Sequence, residues 1–183
     1  MKIKLYSLIA LLAGAASLAS CINKEESADA VYARDVAAID DYIQNSSLTN
    51  VKEYNDPVYG IRIIWQEVSA SGIPVELGDT LRVDYTGKLL SDKVFDTSIE
   101  SVAVDNNIFS SGRNYIPLRF RIGLGALIFG FEYGAAQMEQ GDKATVFIPS
   151  ESGYGRNANG DIPANSPLIF ELDLIEVVPG PTE

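Results

Sequence analysis

Tyr85 and the pair Phe95-Asp96 are the residues whose types and spacing first suggest chemistry. Leu81, Val83 and Tyr85 alternate with Arg82, Asp84 and Thr86, the two-residue period of a half-buried strand. Gly87 interrupts that alternation, Ser91-Asp92 reads as a polar turn, and Val94-Phe95 returns to apolar chain before Asp96. One strand end thus presents a phenol, the next an aromatic ring followed by a carboxylate. Two such strands can wall a mostly apolar cavity with two polar points. The rest of the toolkit is narrow. The chain has no histidine and one cysteine, which removes Ser-His-Asp triads, Cys-His dyads, zinc centres and structural disulfides together. Calcium binding through Asn157, Asn159 and Asp161 lacks the bidentate glutamate of a calcium loop. Glu171 and Asp173 fall on the solvent face of a strand and are not expected to react. No cofactor and no metal is expected.

The elements that must position these groups follow from periodicity. Between Ala28 and Asn45, Tyr32, Val36, Ile39 and Ile43 recur at helical spacing, with Arg34, Asp35, Asp40 and Asp41 elsewhere on the wheel. This helix lays its stripe on the following domain or pairs with a second copy, so a homodimer through it is one candidate partnership. A strand is predicted over Tyr59 to Val68, with Ile61, Ile63 and Trp65 on one face and Trp65 in the core. Phe120-Arg121-Ile122 reads as a strand stopped by Gly123. Leu127 to Met138 reads as a short helix in which Gly130 and Gly134 allow close approach to a sheet, placing the Phe131 ring deep between helix and sheet. Lys143 to Ile148 and Leu168 to Val177 alternate as further strands. The expected fold class is α+β: an antiparallel β-sheet wrapped around a short α-helix, with an N-terminal helical extension.

A chain of 183 residues with a formal charge of −11 has room for one domain and an accessory segment, and it has no basic run to neutralise phosphates. No nucleic acid is expected as a partner. Lys2 and Lys4 precede an apolar run from Leu5 to about Ala19, the pattern of an export signal and short for a membrane span. It ends in Leu18-Ala19-Ser20-Cys21, which resembles the lipobox of bacterial lipoproteins and makes Cys21 the expected lipidation site. The division that follows is a signal peptide over 1–20, a lipidated tether and helix over 21–56, and a domain over 57–179. A lipid anchor implies the bacterial cell envelope, with the outer membrane suggested by Lys24-Glu25-Glu26.

The run Val83-x-Tyr85-x-Gly87 to Phe95-Asp96 also resembles the FK506-binding (FKBP) family of peptidyl-prolyl isomerases. The resemblance continues through Pro117-Leu118-Arg119-Phe120, Ile128-Phe129-Gly130-Phe131, Gly153-Tyr154-Gly155, Ile162-Pro163 and Leu168-Ile169-Phe170, in family order. It implies rotation about X-Pro bonds of exported polypeptides without covalent catalysis. An alternative use of the same apolar cleft is non-catalytic peptide holding by a chaperone. It further implies a pocket with Phe131 as floor, Tyr85, Phe95 and Phe170 as walls, and Asp96 polarising the site. Tyr154 and the Ile128 N–H would bind carbonyls, with Leu118, Leu127 and Ile162 contacting substrate. Three departures stand out: the family's floor is commonly tryptophan, an aromatic residue is common where this chain has Leu118, and the loop Arg156 to Asp161 is about one residue shorter and lacks the histidine often seen there. Residues 99–116 form a flap larger than in compact members, expected to be a loop rich in turns.

Overall fold

The computed structural model describes residues 26–181. The predicted signal segment 1–20 and Cys21 lie outside the described residues. Seven strands form one antiparallel sheet: β1 (Lys52–Asn55), β2 (Arg62–Glu67), β3 (Thr80–Leu89), β4 (Val94–Thr97), β5 (Leu118–Arg121), β6 (Lys143–Ile148) and β7 (Leu168–Val178). Their order is β1-β2-β6-β7-β3-β4, with β5 sharing an edge of β3 with β4. β3 is the organising strand. It pairs with β7 from Thr80↔Val178 to Leu89↔Leu168, with β5 at its start and with β4 at its end.

Helix α1 (Ala28–Asn45) covers one face of the sheet and α3 (Phe129–Ala136) the other, while a short α2 (Glu100–Asp105) lies between β4 and β5. The face under α3 buries Ile63, Trp65, Val146, Ile148, Phe170 and Leu172 among others. The opposite face buries Ile64, Phe147 and Ile169 beneath Ile39 of α1. Each fully buried side chain of this size stabilises by about 1.5–3 kcal/mol, so α1 is part of the folded unit. Gly130 and Gly134 bring α3 onto β6: an added Cβ would lie 2.3 Å from Ile148 Cγ2 and 2.7 Å from Val146 Cγ1 respectively. Gly130→Ala should therefore destabilise by about 1–3 kcal/mol in denaturant unfolding, despite alanine's better helix propensity.

Several expectations are corrected. The alternation does break at Gly87, where the pairing of β3 with β4 shifts register, but the strand itself runs on to Leu89. The sheet begins at Lys52, and 56/57 lies in the turn that joins β1 to β2. Helix α3 is shorter than Leu127 to Met138 at both ends. On α1 the buried line is Val31, Asp35 and Ile39, with Tyr32 and Val36 only half-buried. Asp35 is turned inward because its carboxylate accepts the buried backbone N–H of Ser150 at 2.9 Å, a bond that compensates its burial. The flap contains a helix as well as turns, and Ala103 of that helix is fully buried. Trp65 is core, as predicted, its indole N–H donating to Asp142 Oδ2 at 2.9 Å.

Candidate active site

A cavity of about 560 Å³ opens between α3, the end of β3 and the loop before β7. Tyr85, Phe95, Asp96, Phe131, Tyr154 and Phe170 line it, and so do Leu118, Leu127, Ile128 and Ile162. All ten residues picked out in the sequence meet there. Ala126, Asn159, Gly160 and Asp161 line it as well. Asn159 and Asp161, weighed as calcium ligands, belong to this wall, with Asp161 held by Lys93 Nζ at 3.1 Å.

The rings interlock edge to face. Phe131, buried on α3, meets Phe170 at 5.1 Å between centroids and 84°, and Tyr85 at 5.9 Å and 88°. Phe95 meets Phe170 at 5.7 Å and 81°. Such contacts contribute about 0.5–1.5 kcal/mol each beyond area burial and hold every ring at a set tilt. Gly87 makes the cluster possible: its missing Cβ would lie 2.6 Å from Phe95 Cε2 and 2.9 Å from Phe170 Cε1.

The polar end of the cavity is a three-residue network. The Tyr85 hydroxyl donates to Asp96 Oδ2 at 2.6 Å, and Arg113 donates to both the Tyr85 oxygen (3.0 Å) and Asp96 Oδ1. Asp96 Oδ1 also accepts the Thr97 N–H at 2.9 Å, so the same carboxylate shapes the turn and faces the cavity. Burial, then the Asp96 carboxylate, push the Tyr85 phenol up to about 12. Arg113 escaped the sequence reading because it sits 17 positions from Asp96 inside the flap. The only signal was a lone arginine in a turn-rich stretch. Tyr115 supports it, with the guanidinium carbon 5.4 Å from the ring centroid.

A second unforeseen group is Glu132. Its carboxylate accepts the N–H groups of Gly123 (3.0 Å) and Leu127 (3.1 Å), tying the loop before α3 to the helix that carries Phe131. That loop delivers Leu127 and Ile128 to the cavity. The Ile128 backbone N–H and the Tyr154 hydroxyl have no acceptor or donor partner among the described residues. Both belong to cavity-lining residues, which makes them available to a bound peptide.

Comparison with known proteins agrees with this arrangement. The sequence pattern described as "FKBP-type peptidyl-prolyl cis-trans isomerase" matches residues 72–175. A short-type peptidyl-prolyl cis-trans isomerase of Methanocaldococcus jannaschii is 47% identical over 81 residues, 44% of this chain and 51% of that protein. FK506-binding protein 1 of Aspergillus oryzae is 38% identical over 107 residues, 58% of this chain and 90% of that protein. FK506-binding protein 2 of Dictyostelium discoideum is 36% identical over 106 residues, 57% and 70% of the two chains. The chain spans about half the length of the archaeal relative. The match runs from ahead of β3 almost to the end of β7 and so encloses the entire ring-lined cavity: the chain belongs to the FKBP-type peptidyl-prolyl cis-trans isomerase family.

Proposed function

We propose that the protein catalyses cis-trans isomerisation of X-Pro bonds in exported polypeptides. The observation that carries this reading is the convergence of five aromatic rings and one arginine-paired carboxylate on a single hollow. Rotation about an X-Pro bond faces a barrier of about 18–20 kcal/mol because the planar amide is resonance-stabilised. In the twisted transition state the nitrogen turns pyramidal and the amide loses polarity. A dry, ring-lined cavity favours that state over the planar ground state. A ten-thousandfold acceleration asks for about 5.4 kcal/mol of such preference. No bond is made or broken, so no nucleophile is needed.

In this scheme Phe131 supports the proline ring and Tyr85, Phe95 and Phe170 enclose it. Leu118, Leu127 and Ile162 contact the flanking chain. The Tyr154 hydroxyl and the Ile128 N–H bind substrate carbonyls. Asp96, held by Arg113, orients the Tyr85 phenol and sets the field at the twisting amide. A protease-coupled assay on a prolyl peptide tests the proposal, with Asp96→Ala and Tyr154→Phe as controls. The expected result is acceleration well above the spontaneous rate, reduced in both variants. Because the chain has no histidine and Tyr85 stays protonated up to about 12, kcat/KM should be flat between about pH 6 and 9. Absence of acceleration would leave a non-catalytic peptide-holding chaperone as the use of the cavity.

The same proposal places the protein on a bacterial membrane through lipid attached to Cys21, on the outer membrane in particular. The lipobox-like Leu18-Ala19-Ser20-Cys21 supports this, as does the absence of any other cysteine. Each buried methylene of an acyl chain contributes about 0.8 kcal/mol, so several chains would anchor it durably. Incorporation of labelled fatty acid, abolished in Cys21→Ser, is the expected result.

A further inference from the structure

Beside the isomerase cavity lies an aromatic shelf that the proposed reaction does not use. Phe129, the residue after Ile128, is 46% exposed, and Tyr59 is 43% exposed. Their rings meet edge to face at 4.7 Å, and Tyr133 completes the cluster at 5.7 Å from Tyr59 and 5.6 Å from Phe129. Large rings this open to water are ordinarily left to wander. Here they are held. Asp56 accepts the N–H groups of Val58 (2.9 Å) and Tyr59 (2.7 Å) together with the phenols of Tyr54 and Tyr133. The Tyr133 phenol above all, with the Tyr59 N–H, keeps that carboxyl below its usual range. Gly60, at φ +65°, lets the same turn close on α1, where an added Cβ would lie 2.8 Å from the Tyr32 hydroxyl and from Val36 Cγ2. The backbone under Tyr59 and the Tyr133 ring are thus fixed, and the other two rings pack on Tyr133.

The shelf encloses a cavity of about 350 Å³ lined by Tyr32, Val58, Tyr59, Phe129, Glu151 and Ser152. Two chain segments join it to the isomerase cavity: Leu127-Ile128 leads into Phe129, and Glu151-Ser152 leads into Tyr154. We infer that this shelf is a substrate subsite that takes an apolar side chain, preferably aromatic, a few residues from the proline in the same polypeptide. The inference rests on the proposed isomerase reading and deepens it, because it names the clients: unfolded segments in which a large apolar residue accompanies proline. α1 and the Asp56–Gly60 turn, both outside the segment matched to the family, supply half of the lining.

The test is a peptide series with one prolyl core. It contains a tetrapeptide and longer peptides carrying phenylalanine or glycine at each flanking position in turn. One position should raise kcat/KM about tenfold over its glycine counterpart. Phe129→Ser and, separately, Tyr59→Ser should abolish that gain while leaving the tetrapeptide rate unchanged. Two independent variants guard against one that folds poorly. Calorimetric affinities for the same peptides are read in parallel. A dead tetrapeptide assay would refute the isomerase reading, while the affinity ratio would still decide the subsite. Equal rates and affinities for phenylalanine and glycine at every position would overturn the inference. So would a concentration-dependent dimer abolished by Phe129→Ser, which would give the shelf to a second copy.

Discussion

Gly87→Ala should lower kcat/KM toward a prolyl peptide by about a hundredfold, a loss of about 2.7 kcal/mol of transition-state stabilisation. The backbone at this point has nowhere to retreat, since Gly87 pairs with Phe170 on one side and Asp96 on the other. A methyl group 2.6 Å from Phe95 and 2.9 Å from Phe170 must therefore push the rings away. Overpacking of this kind costs about 1–3 kcal/mol, and the displaced atoms are the cavity wall itself. Combining Gly87→Ala with Phe95→Leu separates strain from function. The smaller side chain should restore the denaturation midpoint toward wild type, while activity stays low because the wall ring is gone. Activity within twofold of wild type in the single variant would show that the rings need no such placement.

Pattern placed the rings of Tyr85, Phe131 and Phe170 on inward faces, while the rest of the cavity was legible only through the ordered motifs that resemble the family. Tyr85, Phe170 and Phe131 each occupy the inward position of an element whose period is unmistakable. Tyr154 stands between two glycines. The interruption read at Gly87 is present, as a register shift against β4, but its purpose was not legible. A glycine inside a strand pattern signals a bulge or a close approach, and here it also makes room for two rings from neighbouring strands. No local pattern encodes that collision.

What α1 covers was hidden in a similar way. Arg62-Ile63-Ile64-Trp65, Val146-Phe147-Ile148 and Leu168-Ile169-Phe170 are continuous apolar or nearly apolar runs, the signature of strands buried on both faces. Reading only the alternating members identified the face under α3 and passed over Ile64, Phe147 and Ile169, on which Ile39 sits. Arg113, Glu132 and Asp35 share another obstacle. Each is a charged residue in a stretch where charge normally means solvent; Arg113 and Asp35 act on groups far away in sequence, and Glu132 acts on the loop just before its own helix.

Asp35→Ala should destabilise the protein by about 2–3 kcal/mol and loosen the Tyr154 loop while the rest stays folded. The carboxylate is fully buried, accepting from the Ser150 N–H at 2.9 Å and from Arg34 Nη2 at 2.9 Å. The Ser150 carbonyl in turn accepts the N–H groups of Gly153 (3.0 Å) and Gly155 (2.8 Å), which flank Tyr154. The returning limb is tied as well: Asn165 N–H donates to the Gly155 carbonyl at 2.7 Å, and the Asn165 carbonyl accepts from Arg34 at 3.0 Å. Two adjacent residues of α1 thus hold both limbs of the loop that presents Tyr154 and Ile162. Removing the carboxylate strands a buried N–H and lets that loop breathe. Asp35→Asn keeps an acceptor oxygen and should lose less than half as much. Arg34→Ala leaves the buried Asp35 carboxylate without its counter-charge and frees the Asn165 carbonyl, so it should also destabilise, by about 1–3 kcal/mol. Urea unfolding measures the stability, and amide exchange at Gly153 and Gly155 measures the loop. Faster exchange there, with the β3–β7 amides still protected, is the expected pattern. Wild-type unfolding and wild-type exchange in Asp35→Ala would mean that α1 merely covers the sheet and has no hold on the cavity.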